Sequence, residues 1–495
     1  MYMYNYTQRG FECQRIYGKK SKKAENTACL AAPAGMGYNT GVTTVRPEAE
    51  EGAERAMERF RQMSAFQIIT ASFAAAIAAG TVLLLLPFAS HGGAGFMDAL
   101  FTAVSAVCVT GLVTVDTGTY WTFFGQLVIL LLIQIGGMGV VTLAMMLAVF
   151  SGRHISLMQR NTLQEAVAAP QLGGLVQILR IILRGTLGFE LLGACLMAPV
   201  FIADFGFVRG VWFAVFHSVS AFCNAGFDLM GIIEPGSSLV HYAGNPVINF
   251  TVMGLIIAGG LGFITWADLL ANGRRLSRCR LQTKMILAST VVLITGPALL
   301  FYFFDLTGLS GGERVMASLF QSVTARTAGF NSVDLTTLTE AGRMVLIILM
   351  LIGGGPGSTA GGIKTTTFYT LLAAAAATFC LRRDVECFGR RLAPESIRLA
   401  LTVFLMYLVL LMAGSLFISY RDGLAFLDCL FEGTSAIGTV GLTIGVTAQA
   451  DSASRCVLMA LMFFGRVGGL TLLYAAHRDS RPFAGRLPEE KVAVG

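Results

Sequence analysis

Long apolar runs, not strand-like alternation, organise this chain. They cover roughly Phe66–Phe88, Phe123–Phe150, Leu175–Phe201, Val247–Leu270, Met285–Phe304, Met344–Phe379, Leu399–Ser419 and Cys456–Ala476. A helix needs about 20 apolar residues to cross the hydrocarbon core of a bilayer, so these runs predict eight membrane spans. Between the two members of each successive pair lies a shorter helix-like stretch, such as Phe96–Val107 or Val211–Phe222. Ten residues of helix rise only ~15 Å, enough to dip into the core and return. Non-helical backbone at that depth survives only where it is buried in protein or lines water.

The short stretches are copies of one another: Phe101-TAVSAVCVTG-Leu112, Phe216-HSVSAFCNAG-Phe227, Phe320-QSVTARTAG-Phe330 and Phe431-EGTSAIGTVG-Leu442. From leading phenylalanine to closing glycine the interval is 10, 10, 9 and 10 residues, and Gly111, Gly226, Gly329 and Gly441 recur 115, 103 and 112 residues apart. The unit is helix, half-helix, glycine loop, helix. Four like units around an axis can enclose a pore. The expected fold is an all-α membrane protein of four fused membrane–pore-loop–membrane repeats, with eight transmembrane helices and four re-entrant half-helices around one central pore. The repeats fall at 63–150 (filter loop 107–112), 175–271 (filter loop 222–227), 283–380 (filter loop 325–330) and 397–478 (filter loop 437–442), between tails at 1–62 and 479–495.

Composition agrees with a membrane protein. Hydrophobic residues make up 55% and charged residues 13%, against about 25% charged in a soluble domain. The excess of Lys plus Arg (36) over Asp plus Glu (29) reports topology. Arg153, Arg160, Arg180 and Arg184 fall in the first link, Arg274, Arg275, Arg278, Arg280 and Lys284 in the second, and Arg382, Arg383, Arg390, Arg391 and Arg398 in the third. Arg478, Arg481, Arg486 and Lys491 lie in the C-terminal tail, whereas Asp116, Asp228, Glu234, Asp305, Asp334, Glu340 and Asp451 flank the glycine loops. The positive-inside rule then puts both termini in the cytoplasm and argues against nucleic-acid binding. The ten cysteines show no metal-ligand spacing and read as small apolar packers. Residues 1–62 lack a signal-peptide layout and read as a largely disordered tail. Within it Pro47–Arg61 reads as a short charged helix on the cytoplasmic surface, and Met57 or Met63 would serve equally as a start.

A cation entering a narrow pore loses its hydration shell, and rings of backbone carbonyls can replace those oxygens. Glycine tolerates the backbone angles that turn successive carbonyls toward an axis. The candidate filter is therefore Val109-Thr110-Gly111, Asn224-Ala225-Gly226, Thr327-Ala328-Gly329 and Thr439-Val440-Gly441. Asp116, Asp228 and Asp334 just beyond it would raise the local cation concentration at the outer mouth. Read singly, each glycine equally suits close helix packing; four aligned copies favour the filter.

The sixth run is interrupted by Gly353, Gly354, Gly355, Gly357, Gly361 and Gly362 together with Pro356, which oppose helix continuation. Ser358, Thr359 and Lys364 at that depth need water or a partner, so they are expected to face the permeation path. The stretch Gly357-STAG-Gly362-Ile363-Lys364-Thr365 misses the GxxxxGK[ST] nucleotide loop by one residue and follows no soluble strand. Arg466, within the last run, is a charge expected to face a bundle interior or a water-filled cavity. Arg326 reads as a brace for the third loop, and Glu190 and His217 as satisfied interior polar groups.

The segments TAVSAVCVTGL, HSVSAFCNAGFDL, QSVTARTAGFNSVDL and SAIGTVGLT resemble the four pore loops of the K⁺ transporter superfamily that includes KtrB and TrkH. The likeness runs from about Ser64 to Gly495, and eight spans without an added N-terminal pair fit the KtrB branch. Pro488-EEKVAV-Gly495 is similar to that branch's C-terminus. The resemblance implies K⁺ uptake through a homodimer with one pore per chain, stimulation by Na⁺, and a cytoplasmic ring of nucleotide-binding regulatory subunits of KtrA/TrkA type. It implies that 353–367 is a mobile intramembrane gate loop and that Arg466 is the pore-facing arginine opposing it. It also implies K⁺ preference, since serine for a filter glycine accompanies Na⁺ permeation in relatives. The expected protein is no enzyme, binds no cofactor of its own, and sits among lipids of the cytoplasmic (inner) membrane. Its rivals are a Na⁺-permeable relative, a substrate-coupled secondary transporter with inverted halves, and a membrane enzyme, for which no acid/base or metal cluster is present in the sequence.

Overall fold

Ser64 opens the first helix with a reciprocal cap: its Oγ accepts from Gln67 N at 3.2 Å, and Gln67 Oε1 accepts from Ser64 N at 3.0 Å. The computed structural model describes residues 64–140, 142–143, 162, 164–165, 175–273, 275–469, 471 and 490. The tail 1–62 with Pro47–Arg61, the link residues Arg153, Arg160 and Arg274, and the C-terminal Arg478, Arg481, Arg486 and Lys491 lie outside the described residues. The first helix of every repeat is long: α1 (Ala65–Leu84), α4 (Leu175–Phe205), α8 (Leu281–Leu300) and α12 (Pro394–Asp422). All four have the length and hydropathy to cross a bilayer. Their outward faces expose Leu191, Val292 and Val409, each more than 60% accessible, as a lipid-facing surface requires and water would penalise.

Each long helix packs against a half-helix of its own repeat: α2 (Phe96–Cys108), α5 (Phe207–Phe222), α9 (Gly311–Thr324) and α13 (Phe426–Gly438). The leading phenylalanines Phe101, Phe216, Phe320 and Phe431 are fully buried, which seats the four half-helices in the interior.

The second helix of each repeat is broken. In repeat 1, α3 (Phe123–Met138) ends at Gly139, whose φ is 84°. In repeat 2, α6 (Pro246–Leu261) and α7 (Phe263–Asn272) meet at Gly262 with a 90° bend. In repeat 3, α10 (Glu340–Leu351) and α11 (Thr365–Phe379) flank the glycine-rich stretch, and in repeat 4 α14 (Ser452–Val467) ends at Gly468. Continuous second, fourth and eighth spans were the sequence expectation. Among the described residues each of these three is interrupted at its glycine, four helices reach spanning length, or five with the bent pair counted as one, and the ends of the second and eighth runs lie outside the described residues. A two-stranded hairpin, β1 (Glu386–Cys387) with β2 (Arg390–Arg391), links α11 to α12.

Three of the breaks, at Gly139, Gly262 and Gly468, share a positive φ and the same packing just ahead of them. Gly136, Gly259 and Gly465 each stand three residues before the break, against the carbonyl of Val107, Phe222 or Ile437 near the end of the half-helix in the same repeat. A Cβ there would overlap that oxygen. Gly259→Ala should therefore destabilise the protein by about 1–3 kcal/mol. Gly254→Ala, where no atom lies within 4 Å of the new methyl, should leave the melting temperature in detergent unchanged. Equal melting of the two variants would remove this packing argument.

Candidate functional site

The four glycine loops meet edge to edge. A Cβ on Gly111 would overlap Ala225 O; one on Gly226 would lie 2.7 Å from Ala328 O; one on Gly329 would overlap Val440 O; and one on Gly441 would overlap Thr110 O. The order 111, 226, 329, 441 and back to 111 closes a ring. Each glycine also faces the next glycine's Cα, at 3.0 to 3.2 Å from such a Cβ. No side chain fits at this level.

Backbone conformation alternates along each loop. Val109, Asn224, Thr327 and Thr439 have φ of 57°, 58°, 70° and 51°, and the glycines two positions on have 89°, 68°, 84° and 94°. Positive φ is uncommon for any side-chain-bearing residue and an outlier for a β-branched one, costing about 1–3 kcal/mol at each position. The cost is offset locally. Ser105 Oγ accepts from Gly111 N and Ser435 Oγ from Gly441 N, both at 3.0 Å. Ser220 Oγ donates to Phe227 O at 2.7 Å, and Thr324 Oγ1 donates to Phe330 O. Sequence reasoning missed these tethers, although a hydroxyl recurs four residues after every leading phenylalanine.

The glycine-rich stretch folds against the ring. Its ends pair through Gly353 N to Ile363 O at 2.8 Å and Thr365 N to Gly354 O at 3.0 Å. It is stitched to the break in repeat 2 by Gly355 N to Gly260 O at 2.8 Å and Phe263 N to Gly357 O at 2.9 Å. Gly361 abuts the Thr439 hydroxyl, and Gly362, with φ 64°, abuts Gly438 O. Thr359, fully buried, is the node. Its N donates to Gly259 O at 3.3 Å. Its hydroxyl lies 3.1 Å from Phe222 O and 3.3 Å from Asn224 Oδ1, and Asn224 Nδ2 donates to Thr327 Oγ1 at 3.2 Å. The Thr359 carbonyl accepts from Arg466 Nη1. Arg466 Nη2 also donates to Gly136 O and, at 3.1 Å, to Gly137 O, capping the end of α3. Lys364 Nζ donates to Ala360 O at 2.7 Å. Ser358, Lys364 and Arg466 line one cavity of about 400 Å³ beside this stretch.

The acids beyond the ring accept hydrogen bonds from the backbone. Asp116 Oδ2 accepts from Thr119 N at 2.8 Å, Asp228 Oδ1 from Met230 N at 2.9 Å, and Asp334 Oδ1 from Thr336 N at 2.9 Å. Arg326 departs from expectation: its Nε is buried without a partner among the described residues, and it is its main-chain oxygen that accepts from Asn224 at 3.4 Å. Glu190 accepts from Gln134 Nε2 at 3.3 Å. His217 bonds Phe213 O and Leu229 N.

Broken inner helices around a ring of touching glycine loops, set among helices of membrane-spanning length, fit a cation transport protein. The chain belongs to the TrkH cation transport protein family, whose model matches residues 39–481. It is 38% identical to the potassium/sodium uptake protein NtpJ of Enterococcus hirae, over 88% of this chain and 98% of that protein. It is 36% identical to the Ktr system potassium uptake protein B of Bacillus subtilis, over 87% and 96%. The potassium transporter TrkH of Vibrio parahaemolyticus shares the fold, with a TM-score of 0.65 and 18% identity over 83% of this chain and 84% of that one.

Burial pushes the Asp228 carboxyl up to about 7, and the nearby Asp116 carboxylate acts in the same direction. A raised acid is charged only above its pKa, so this position just beyond the ring loses a negative charge as pH falls through 7. Apparent cation affinity in uptake assays should weaken over that interval, and Asp228→Asn should hold it at the weak level throughout. A wild-type affinity that stays flat from pH 6 to pH 8 (a span of about two units around that pKa) would remove this role.

Proposed function

We propose that this chain is the pore-forming subunit of a K⁺ uptake system in the cytoplasmic membrane, with four membrane–pore-loop–membrane repeats and both termini inside. The observation that carries the reading is the closed ring of glycine loops. In it Val109, Thr110, Gly111, Asn224, Ala225, Gly226, Thr327, Ala328, Gly329, Thr439, Val440 and Gly441 form a filter whose carbonyls replace water around the ion. All four ring positions are glycine, which supports K⁺ over Na⁺. A relative named for both ions keeps a Na⁺-permeable pore as the second reading. Ions move down their electrochemical gradient, driven by about 2.3 kcal/mol per charge per 100 mV.

The gate in this reading is 353–367, held shut by Thr359 and Arg466. Two basic side chains, Lys364 and Arg466, line the cavity beside it, and the Arg466 guanidinium opposes a cation there. The relatives carry the names of Ktr system components. Those names support work alongside other components of such a system; the arrangement proposed for it is a homodimer on a cytoplasmic nucleotide-binding ring, with Na⁺ as an activator.

Expression should restore growth of K⁺-uptake-deficient cells at low K⁺, and vesicles holding the chain should take up K⁺ in preference to Na⁺. Gly226→Ser should weaken that preference. No rescue with a cognate regulatory subunit present, or identical ion competition in Gly226→Ser, would overturn the assignment. Thr359→Val keeps the side chain's shape but deletes its hydroxyl. It should raise basal flux several-fold, the effect of losing about 1 kcal/mol of closed-state hydrogen bonding, while Thr359→Ser stays near wild type. Unaltered flux in Thr359→Val would sink the gate.

A further inference from the structure

The position directly after each leading phenylalanine is polar in all four repeats. Thr102, His217, Gln321 and Glu432 are each completely buried in the half-helices. Burying such groups costs free energy unless they are hydrogen-bonded, so what each one touches is informative. In repeat 4, Glu432 Oε1 accepts from Thr443 Oγ1 at 2.7 Å, from Thr447 N at 3.0 Å and from Thr447 Oγ1. In repeat 2, His217 Nε2 accepts from Leu229 N at 3.3 Å, while its Nδ1 lies 2.7 Å from Phe213 O. A carbonyl can only accept and a backbone N–H can only donate, so His217 is the neutral tautomer protonated at Nδ1.

Both side chains therefore fasten the strand leaving the ring to the half-helix that enters it. Thr443 and Leu229 stand two and three residues beyond their ring glycines. Repeats 2 and 4 face each other across the ring, given its order 111, 226, 329, 441. The other two repeats lack this clamp: Thr102 Oγ1 and both amide atoms of Gln321 are buried without a partner among the described residues. Repeat 1 ties its exit strand by Asp98 instead, whose Oδ1 accepts from Thr114 Oγ1 at 2.9 Å.

We propose that Glu432 and His217 are positioning residues for ion discrimination, holding the outer lip of the ring from two opposite sides. This rests on the filter reading above. A carbonyl ring can separate K⁺ from Na⁺ by resisting contraction around the smaller ion. The tethers at Ser105, Ser220, Thr324 and Ser435 hold the ring and the residue just beyond it, and the two clamps fix the strands by which the chain leaves. Glu432 acts through Oε1 alone, since Oε2 is buried with no partner among the described residues. An amide at this position keeps the working oxygen.

The test is K⁺ uptake under Na⁺ competition in vesicles holding the full chain. Glu432→Ala removes all three contacts to Oε1 and should lower the K⁺/Na⁺ preference roughly tenfold or more, each buried hydrogen bond supplying about two- to tenfold, and Glu432→Gln should restore most of it. His217→Phe should reproduce the loss from the opposite side. Thr447→Val removes one of the Glu432 contacts from outside the half-helix and should give a smaller loss of the same sign, which keeps the test open if Glu432→Ala fails to fold. Reduced uptake at an unchanged ion ratio in Glu432→Ala and Thr447→Val would mean a merely structural role and overturn the proposal. A wild-type chain with no K⁺ preference would instead refute the filter reading itself, so the two failures are distinguishable.

Discussion

The structure depends on bringing four main chains within touching distance at one level. Side chains cannot stand between them, which is why glycine closes every loop and why a Cβ at Gly111, Gly329 or Gly441 would overlap a neighbouring carbonyl. The geometry has a cost: Val109, Asn224, Thr327 and Thr439 are held at positive φ, where L-residues are strained. Such strain persists only where the surroundings over-determine it. Here the surroundings are four buried half-helices, each carrying the hydroxyl that ties its own loop.

The same requirement propagates outward. For the half-helices to reach the centre, the inner helices must lie close against their ends, so Gly136, Gly259 and Gly465 meet carbonyls where larger residues would stand off. Three residues later each inner helix breaks, at Gly139, Gly262 or Gly468. Freed backbone groups inside a membrane need partners. In repeat 2 the glycine-rich stretch supplies them, through Gly355 N to Gly260 O and Phe263 N to Gly357 O. At the end of α3 the Arg466 guanidinium does so. The break and its cover are one construction.

Much of this was legible in the sequence, for physical reasons that also set the limit. The half-helices and glycine loops were readable because a closed ring imposes the same short motif four times. The long first helices were readable because lipid demands unbroken apolar length. The broken inner helices were not, since Gly139, Gly262 and Gly468 sit in apolar runs that read as continuous, and nothing local marks which glycine of a run takes a positive φ. Ser105, Ser220, Thr324 and Ser435 were visible only by comparing the repeats column by column. Arg326 was misread because a charge beside a filter suggests a side-chain brace, whereas the contact comes from its backbone oxygen. Thr359 stood among the polar residues of the stretch with nothing in the sequence to mark it as the junction.

Departures from the four-fold pattern carry the rest of the argument. Where repeats 1 and 2 have Gly137 and Gly260, repeat 4 has Arg466, and its charge reaches across to α3 and to Thr359. Where three repeats have a single breaking glycine, repeat 3 inserts the glycine-rich stretch. The one ring residue with an amide side chain, Asn224, touches both that stretch through Thr359 and the next loop through Thr327. These asymmetric elements form a single connected chain of contacts, so a displacement of the stretch must alter the hydrogen bonding of Asn224 as well. In the proposed transporter, opening and ion discrimination are thereby coupled by geometry.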